Sequence, residues 1–219
     1  MRRFGVLLSG CGVNDGSEIH EATMTLYHLD RMGVERVCFA PDAPQARVFD
    51  HLRGEDANEG RNMLVEAARI ARGEIQPLSK ADPDELNGLL IPGGFGAALN
   101  LCDYGLKGRD LTVREDVERL IMAIHEQKKP IGAICIAPVV VAKVLGSRSI
   151  PVELTIGGDP KVSSDIEAMG AVHAMHLVDE IHVDRAHKVV STPAYMLGKN
   201  VAEIAPGIER LVDAVLSMA

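Results

Sequence analysis

Short runs of apolar residues alternate with amphipathic stretches along the whole chain. Phe4 to Ser9, Arg36 to Ala40, Leu86 to Ile91 and Ile131 to Ile134 are mostly apolar, as buried parallel strands are. After the first run, a loop through Gly16 leads to a helix predicted from about Ser17 to Met32. Ile19, Ala22, Leu26 and Leu29 fall near helical spacing there, Asp15 with Glu18 resembles a capping box, and Gly33 supplies the stop. A second helix is predicted over about Glu59 to Ala71, with Met63, Ala67 and Ile70 on one face. Val113 to Gln127 reads as a charged amphipathic helix that leads into the Ile131 run. Beyond residue 150 the pattern changes to shorter strands, around Glu153 to Ile156 and Lys188 to Ser191. A closing helix follows from about Asn200 to Met218. Such alternation predicts an α/β fold with a mainly parallel, covered sheet. No repeat or low-complexity linker divides the chain, so a single domain over 1–219 is expected.

In open α/β sheets, ligands sit beyond the carboxyl ends of the strands. Three segments share that address: the loop after the first strand, the Pro92-Gly93-Gly94-Phe95-Gly96 turn, and Cys135. In Lys129-Pro130-Ile131-Gly132-Ala133-Ile134-Cys135-Ile136-Ala137-Pro138, Pro138 suits the first turn of a helix continued by Val139 to Leu145. Cys135 then stands at a sharp strand-to-helix turn beside unpaired helix amides. That setting favours a thiolate, with a pKa of roughly 3.5 to 7.5 instead of about 8.5. The bland alternative is a buried core cysteine.

Composition narrows the partners. The 219 residues are 47% hydrophobic and 25% charged, with a formal charge of −8. No basic footprint for nucleic acid and no cationic cluster for an anionic membrane is present, so small-molecule or protein partners are expected. Cys11, Cys38, Cys102 and Cys135 show neither C-x-x-C nor zinc-site spacing, and no metal site is expected. They suit a reducing compartment, and the expected location is cytoplasmic. The stretch Pro130 to Ala142 is too short to span a bilayer, which needs about 20 apolar residues. Met1 to Cys11 superficially resembles a lipoprotein signal, but Phe4 to Leu8 is shorter than the roughly 7 to 15 apolar residues required.

Several segments together carry a family resemblance. They are Leu8-Ser9-Gly10-Cys11-Gly12-Val13, Asp15-Gly16-Ser17-Glu18-Ile19-His20-Glu21-Ala22 and Ile91-Pro92-Gly93-Gly94-Phe95-Gly96-Ala97-Ala98. Cys135-Ile136-Ala137-Pro138, Leu154-Thr155-Ile156-Gly157 and Thr192-Pro193-Ala194-Tyr195-Met196-Leu197 complete the set. In this order they resemble the ThiJ/PfpI superfamily of class-I-glutamine-amidotransferase-like proteins. Within it they resemble the ElbB-like subfamily, associated with lycopene and isoprenoid biosynthesis and also described as glyoxalases. The resemblance implies a flavodoxin-like three-layer sandwich with a nucleophile elbow at Cys135 and a first-helix carboxylate hydrogen-bonded to it. Glu21 falls on that carboxylate's position, with Glu18 one turn earlier in reserve. The plain readings are a helix cap for Glu18 and a solvated helix face for Glu21.

Many relatives carry a histidine where this chain has Gly157-Gly158, so a full Cys-His-acid triad is not supported at that position. ElbB-like proteins share this departure. His20, His173, His176 and His182 read as surface or packing histidines.

The implied activity is a cofactor-independent, glutathione-independent glyoxalase of hydro-lyase type. It would convert glyoxal to glycolate, or methylglyoxal to lactate, through a hemithioacetal on Cys135 with Glu21 as acid and base. Gly94 and the amide of Ile136 are the candidate oxyanion and substrate donors; Thr192, Pro193 and Ala194 are candidates for a pocket wall. A small dicarbonyl is the expected partner, and related proteins imply a homodimer. The rival reading is a redox-sensing or regulatory binding protein that uses the same cysteine without turnover. Glutamine hydrolysis is disfavoured, because Asp179-Glu180-Ile181-His182 does not have the usual His-x-Glu order.

Overall fold

The computed structural model describes residues 2–219. In chain order its strands are β1 (Arg3–Leu7), β2 (Glu35–Ala40), β3 (Phe49–Asp50), β4 (Glu55–Asp56), β5 (Ile75–Pro77), β6 (Gly88–Ile91), β7 (Ile131–Ile134), β8 (Glu153–Leu154), β9 (Val172–His173), β10 (His182–Asp184) and β11 (Val189–Thr192). Its helices are α1 (Ile19–Arg31), α2 (Met63–Ile70), α3 (Phe95–Leu99), α4 (Tyr104–Lys107), α5 (Glu115–Glu126), α6 (Pro138–Gly146), α7 (Pro160–Ala168) and α8 (Val201–Ser217).

Seven strands form the central sheet in the order β10-β11-β7-β6-β1-β2-β5. All neighbours pair in parallel except the edge pair β10–β11. The pleat sends alternate residues to opposite faces. Leu89 and Ile91 enter the core that holds Val117, Ile121 and Ile124 of α5, while Leu90 enters the one that holds Leu211 and Val215 of α8. Helices cover both faces, which is the flavodoxin-like three-layer arrangement expected above. Among the described residues, no helix is long and apolar enough to cross a membrane.

Differences from the expected elements lie at their ends. Helix α1 starts at Ile19 because Glu18 is its cap, its Oε2 accepting from Glu21 N at 2.8 Å. Asp15 is no part of a capping box: the tight turn closed by Gly16 N on Gly12 O (2.7 Å) aims it at Phe49 N, which donates to Oδ2 at 2.8 Å. Helix α2 starts at Met63, since extended Asn62 bridges to Pro44 and caps Val65 N. Val113 pairs with Cys102 and leaves α5 to begin at Glu115. The Glu153 strand ends at Leu154, where Thr155 N turns to the Ser191 hydroxyl instead of a backbone carbonyl.

Candidate active site

β7 ends at Ile134 and α6 begins at Pro138, which leaves three residues to reverse the chain. Cys135 takes the turn with φ of 62°, a left-handed conformation that costs a residue with a side chain about 1–3 kcal/mol. Cys135 N donates to Thr192 O at 2.9 Å, so β11 holds the strained residue in place. The elbow presents the thiol at the carboxyl end of the sheet, with the residue 7% exposed.

Glu21 comes from the first turn of α1 and is fully buried. Gly93 N donates to its Oε2 at 2.9 Å, and Tyr195 N donates to Oε1 at 3.3 Å. A Cβ built on Gly93 would stand 2.6 Å from Cys135 Cβ and 2.9 Å from Glu21 Oε2, so the turn at Gly93 brings together the two residues expected to act as a pair. The main-chain N–H groups of Gly94 and Ile136 act on the Cys135 thiol in the direction that favours its charged form. Gly94, at φ of 90°, lies so close to the first loop that a Cβ would sit 2.5 Å from Glu18 N and Gly16 O. The start of α1, the Gly93–Gly94 turn and the Cys135 elbow therefore converge on one site.

The electrostatics differ from the helix-terminus argument. Burial, then the charge of Glu21, pushes the Cys135 thiol well above its ordinary range, and the Gly94 and Ile136 amides only partly oppose this. Burial, then the Glu18 charge, raises Glu21 from 4.5 to about 8, against the amides of Tyr195 and Gly93. The expected low-pKa thiolate is thus corrected: desolvation outweighs the amide field in the resting site. Glu21 is mostly protonated at neutral pH and gains its carboxylate form toward pH 8. Burial and the Glu21 charge oppose ionisation of the thiol beside it.

Other expectations resolve around this centre. Glu18 is the α1 cap and touches the site through the Glu21 amide, through its charge, and through its own N–H, which donates to Gly93 O at 2.9 Å. All four cysteines are free. Burial pushes Cys38 up to about 11 and Cys102 to about 12, as inert core thiols. Cys11 is also raised, by burial and then by Glu66, which places it toward α2. His173 accepts from Ile156 N at 3.5 Å, and His176 and His182 bond each other at 3.1 Å. His20 is not an isolated surface group: its Nδ1 lies 2.8 Å from the Tyr195 hydroxyl. Tyr195 sits inside a segment flagged in the sequence, yet its own contact with Glu21 carries no local signal. Among the described residues, no group of three or more His, Cys, Asp or Glu converges as a metal site.

No family model matches the chain. A rat protein named ES1 protein homolog, mitochondrial, is 44% identical over 226 residues, covering 99% of this chain and 84% of the relative. The human glutamine amidotransferase-like class 1 domain-containing protein 3, mitochondrial, is 44% identical over 99% of this chain and 83% of its own length. A solved Ehrlichia chaffeensis structure, described as an isoprenoid biosynthesis protein with an amidotransferase-like domain, superposes with a TM-score of 0.93. It is 35% identical and covers 100% of this chain and 99% of its own. A DJ-1 superfamily protein from Salmonella typhimurium, at 18% identity and a TM-score of 0.60 over 99% of this chain and 91% of its own, shares the fold. The expected cytoplasmic location is overturned by these relatives, since the rat and human proteins and a zebrafish ES1 protein are all named mitochondrial. Unpaired cysteines indicate a reducing compartment without specifying which one.

Proposed function

The chain belongs to the family of ES1 and glutamine amidotransferase-like class 1 proteins, and on that premise we propose that it is a glutathione-independent glyoxalase acting on glyoxal or methylglyoxal. The observation that carries this reading is the Cys135–Glu21 pair, buried together where the Gly93 turn approaches both. A thiol that is neutral at rest, beside a carboxyl whose carboxylate form takes its proton and whose acid form returns it, suits reversible addition to an aldehyde.

Cys135 Sγ bonds to one aldehyde carbon of glyoxal, and its proton passes to the carbonyl oxygen to give a hemithioacetal. Gly94 and Ile136 N–H groups hold the negative charge that develops on that oxygen. Glu21 removes the hydrogen from the thiolated carbon and delivers a proton to the neighbouring carbon through an enediol. The product is a glycolyl thioester. Water cleaves it to glycolate and restores the thiol, so the overall change is addition of one water to glyoxal.

The rival redox-sensor reading is less well supported. Sensor thiols are exposed and of low pKa, whereas Cys135 is buried and its thiol is pushed up.

The test is glycolate formation from glyoxal by metal-free protein without glutathione. Turnover by the wild type, and its loss in folded Cys135→Ser and Glu21→Gln, supports the reading. An inactive wild type, or a Cys135→Ser variant of equal rate, overturns it.

A further inference from the structure

We propose that Tyr195, anchored by His20, is a positioning residue that holds the Glu21 carboxyl in register with Cys135. The inference rests on reading Cys135 and Glu21 as the working pair, and it adds two residues that the motif comparison did not assign.

His20 and Glu21 are adjacent on α1. Neighbouring residues of a helix point about 100° apart, so His20 and Glu21 cannot share a small ligand through their side chains. Tyr195 nevertheless engages both. Its main-chain N–H donates to Glu21 Oε1 at 3.3 Å, and its hydroxyl lies 2.8 Å from His20 Nδ1. A tyrosine has amide and phenol at opposite ends, which lets one residue bracket the two. Glu21 is buried inside the bracket, while the His20 ring is 52% exposed at its outer edge.

This bracket has something to restrain. Tyr195 lies in a single 3₁₀ turn, Ala194–Met196, that starts from Ala194 at φ of 42°. A left-handed alanine is a strained start for so short a turn, and external contacts must hold it. The hydroxyl bond to α1 is such a contact. Only with the turn docked does the Tyr195 amide meet Oε1, while Gly93 N holds Oε2. Together the two amides fix both oxygens, and so the face that the carboxyl presents to the sulfur. The groups facing Glu21 are then Cys135, Glu18 and the amides of Gly93 and Tyr195, while His20 reaches Glu18 and the Tyr195 hydroxyl. Both amides bonded to this carboxyl favour its charged form.

The test reads Cys135 alkylation by iodoacetamide from pH 6 to 10, which reports the state of the pair whether or not glyoxal is turned over. Tyr195→Phe and His20→Leu loosen the amide that favours the charged Glu21, whose charge raises the thiol, and should move the midpoint acid by about half to one pH unit. Alkylation at pH 7 should rise about threefold to tenfold, because one pH unit of midpoint corresponds to a factor of ten. His20→Asn, whose Oδ1 can accept the tyrosine proton near the position of Nδ1, should restore the wild-type midpoint. A midpoint unchanged within about 0.2 unit in folded Tyr195→Phe and His20→Leu overturns the proposal, as does failure of His20→Asn to differ from His20→Leu. A shifted midpoint in a protein without glyoxalase activity keeps this proposal and removes the functional reading instead.

Discussion

Gly93 N donates to Glu21 Oε2 at 2.9 Å, and this contact depends on Gly93 having no side chain. A Cβ at Gly93 would stand 2.6 Å from Cys135 Cβ and 2.9 Å from the same carboxylate oxygen. Gly93→Ala should therefore destabilise the fold by about 1–3 kcal/mol, the usual cost of overpacking a tight interior. It should also push Glu21 and Cys135 apart and abolish aldehyde conversion. Urea unfolding followed beside the glycolate assay checks both parts, and an active, fully stable variant would show that the close approach is not needed.

Burial of Glu21 makes the site a source of instability with a defined pH window. Its pKa is raised from 4.5 to about 8 in the folded chain. Between those values the folded protein holds a proton that the unfolded chain has released, so stability falls as pH rises through the window. Glu21→Gln has no charge to bury. Its melting temperature should decline less than the wild type's between pH 5 and 8 and gain on it steadily toward pH 8. Parallel melting curves across that range would contradict the raised pKa.

Asn100 supports the loop on which the Gly94 turn rests. It is buried, and its side chain donates to Ser9 O and Asp15 O, both at 2.8 Å, while accepting from Ala46 N at 2.9 Å. Asn100→Ala leaves these groups without partners, each costing about 1–3 kcal/mol when buried. A loss of about 3 kcal/mol or more is expected in urea unfolding. Activity should fall as well, because Gly16, next to Asp15, receives the Gly96 amide on its carbonyl.

Much of this molecule is legible along the chain. The buried runs at Phe4, Leu86 and Ile131 announce parallel strands, and Pro138 after an apolar run announces the turn that carries Cys135. The ordered motifs, more than any spacing, single out Glu21. Element ends were less legible, since Asp15 and Glu18 offer the same capping pattern and only the Gly12–Gly16 turn decides that Asp15 bonds Phe49 instead.

The protonation of the site belonged wholly to the tertiary structure. A cysteine near a helix start reads locally as a thiolate, because sequence shows the nearby amides but not how much water is removed. The fold buries Cys135 against Glu21, and desolvation then outweighs the amides. The Tyr195–His20 bracket was hidden for a related reason. The two residues lie at opposite ends of the chain and carry no periodic signal, and only the packing of the Ala194–Met196 turn against α1 brings hydroxyl to imidazole and amide to carboxyl. Periodicity and turn chemistry are local properties and can be read in order along the chain, whereas burial and long-range hydrogen bonding arise only once distant segments share one interior.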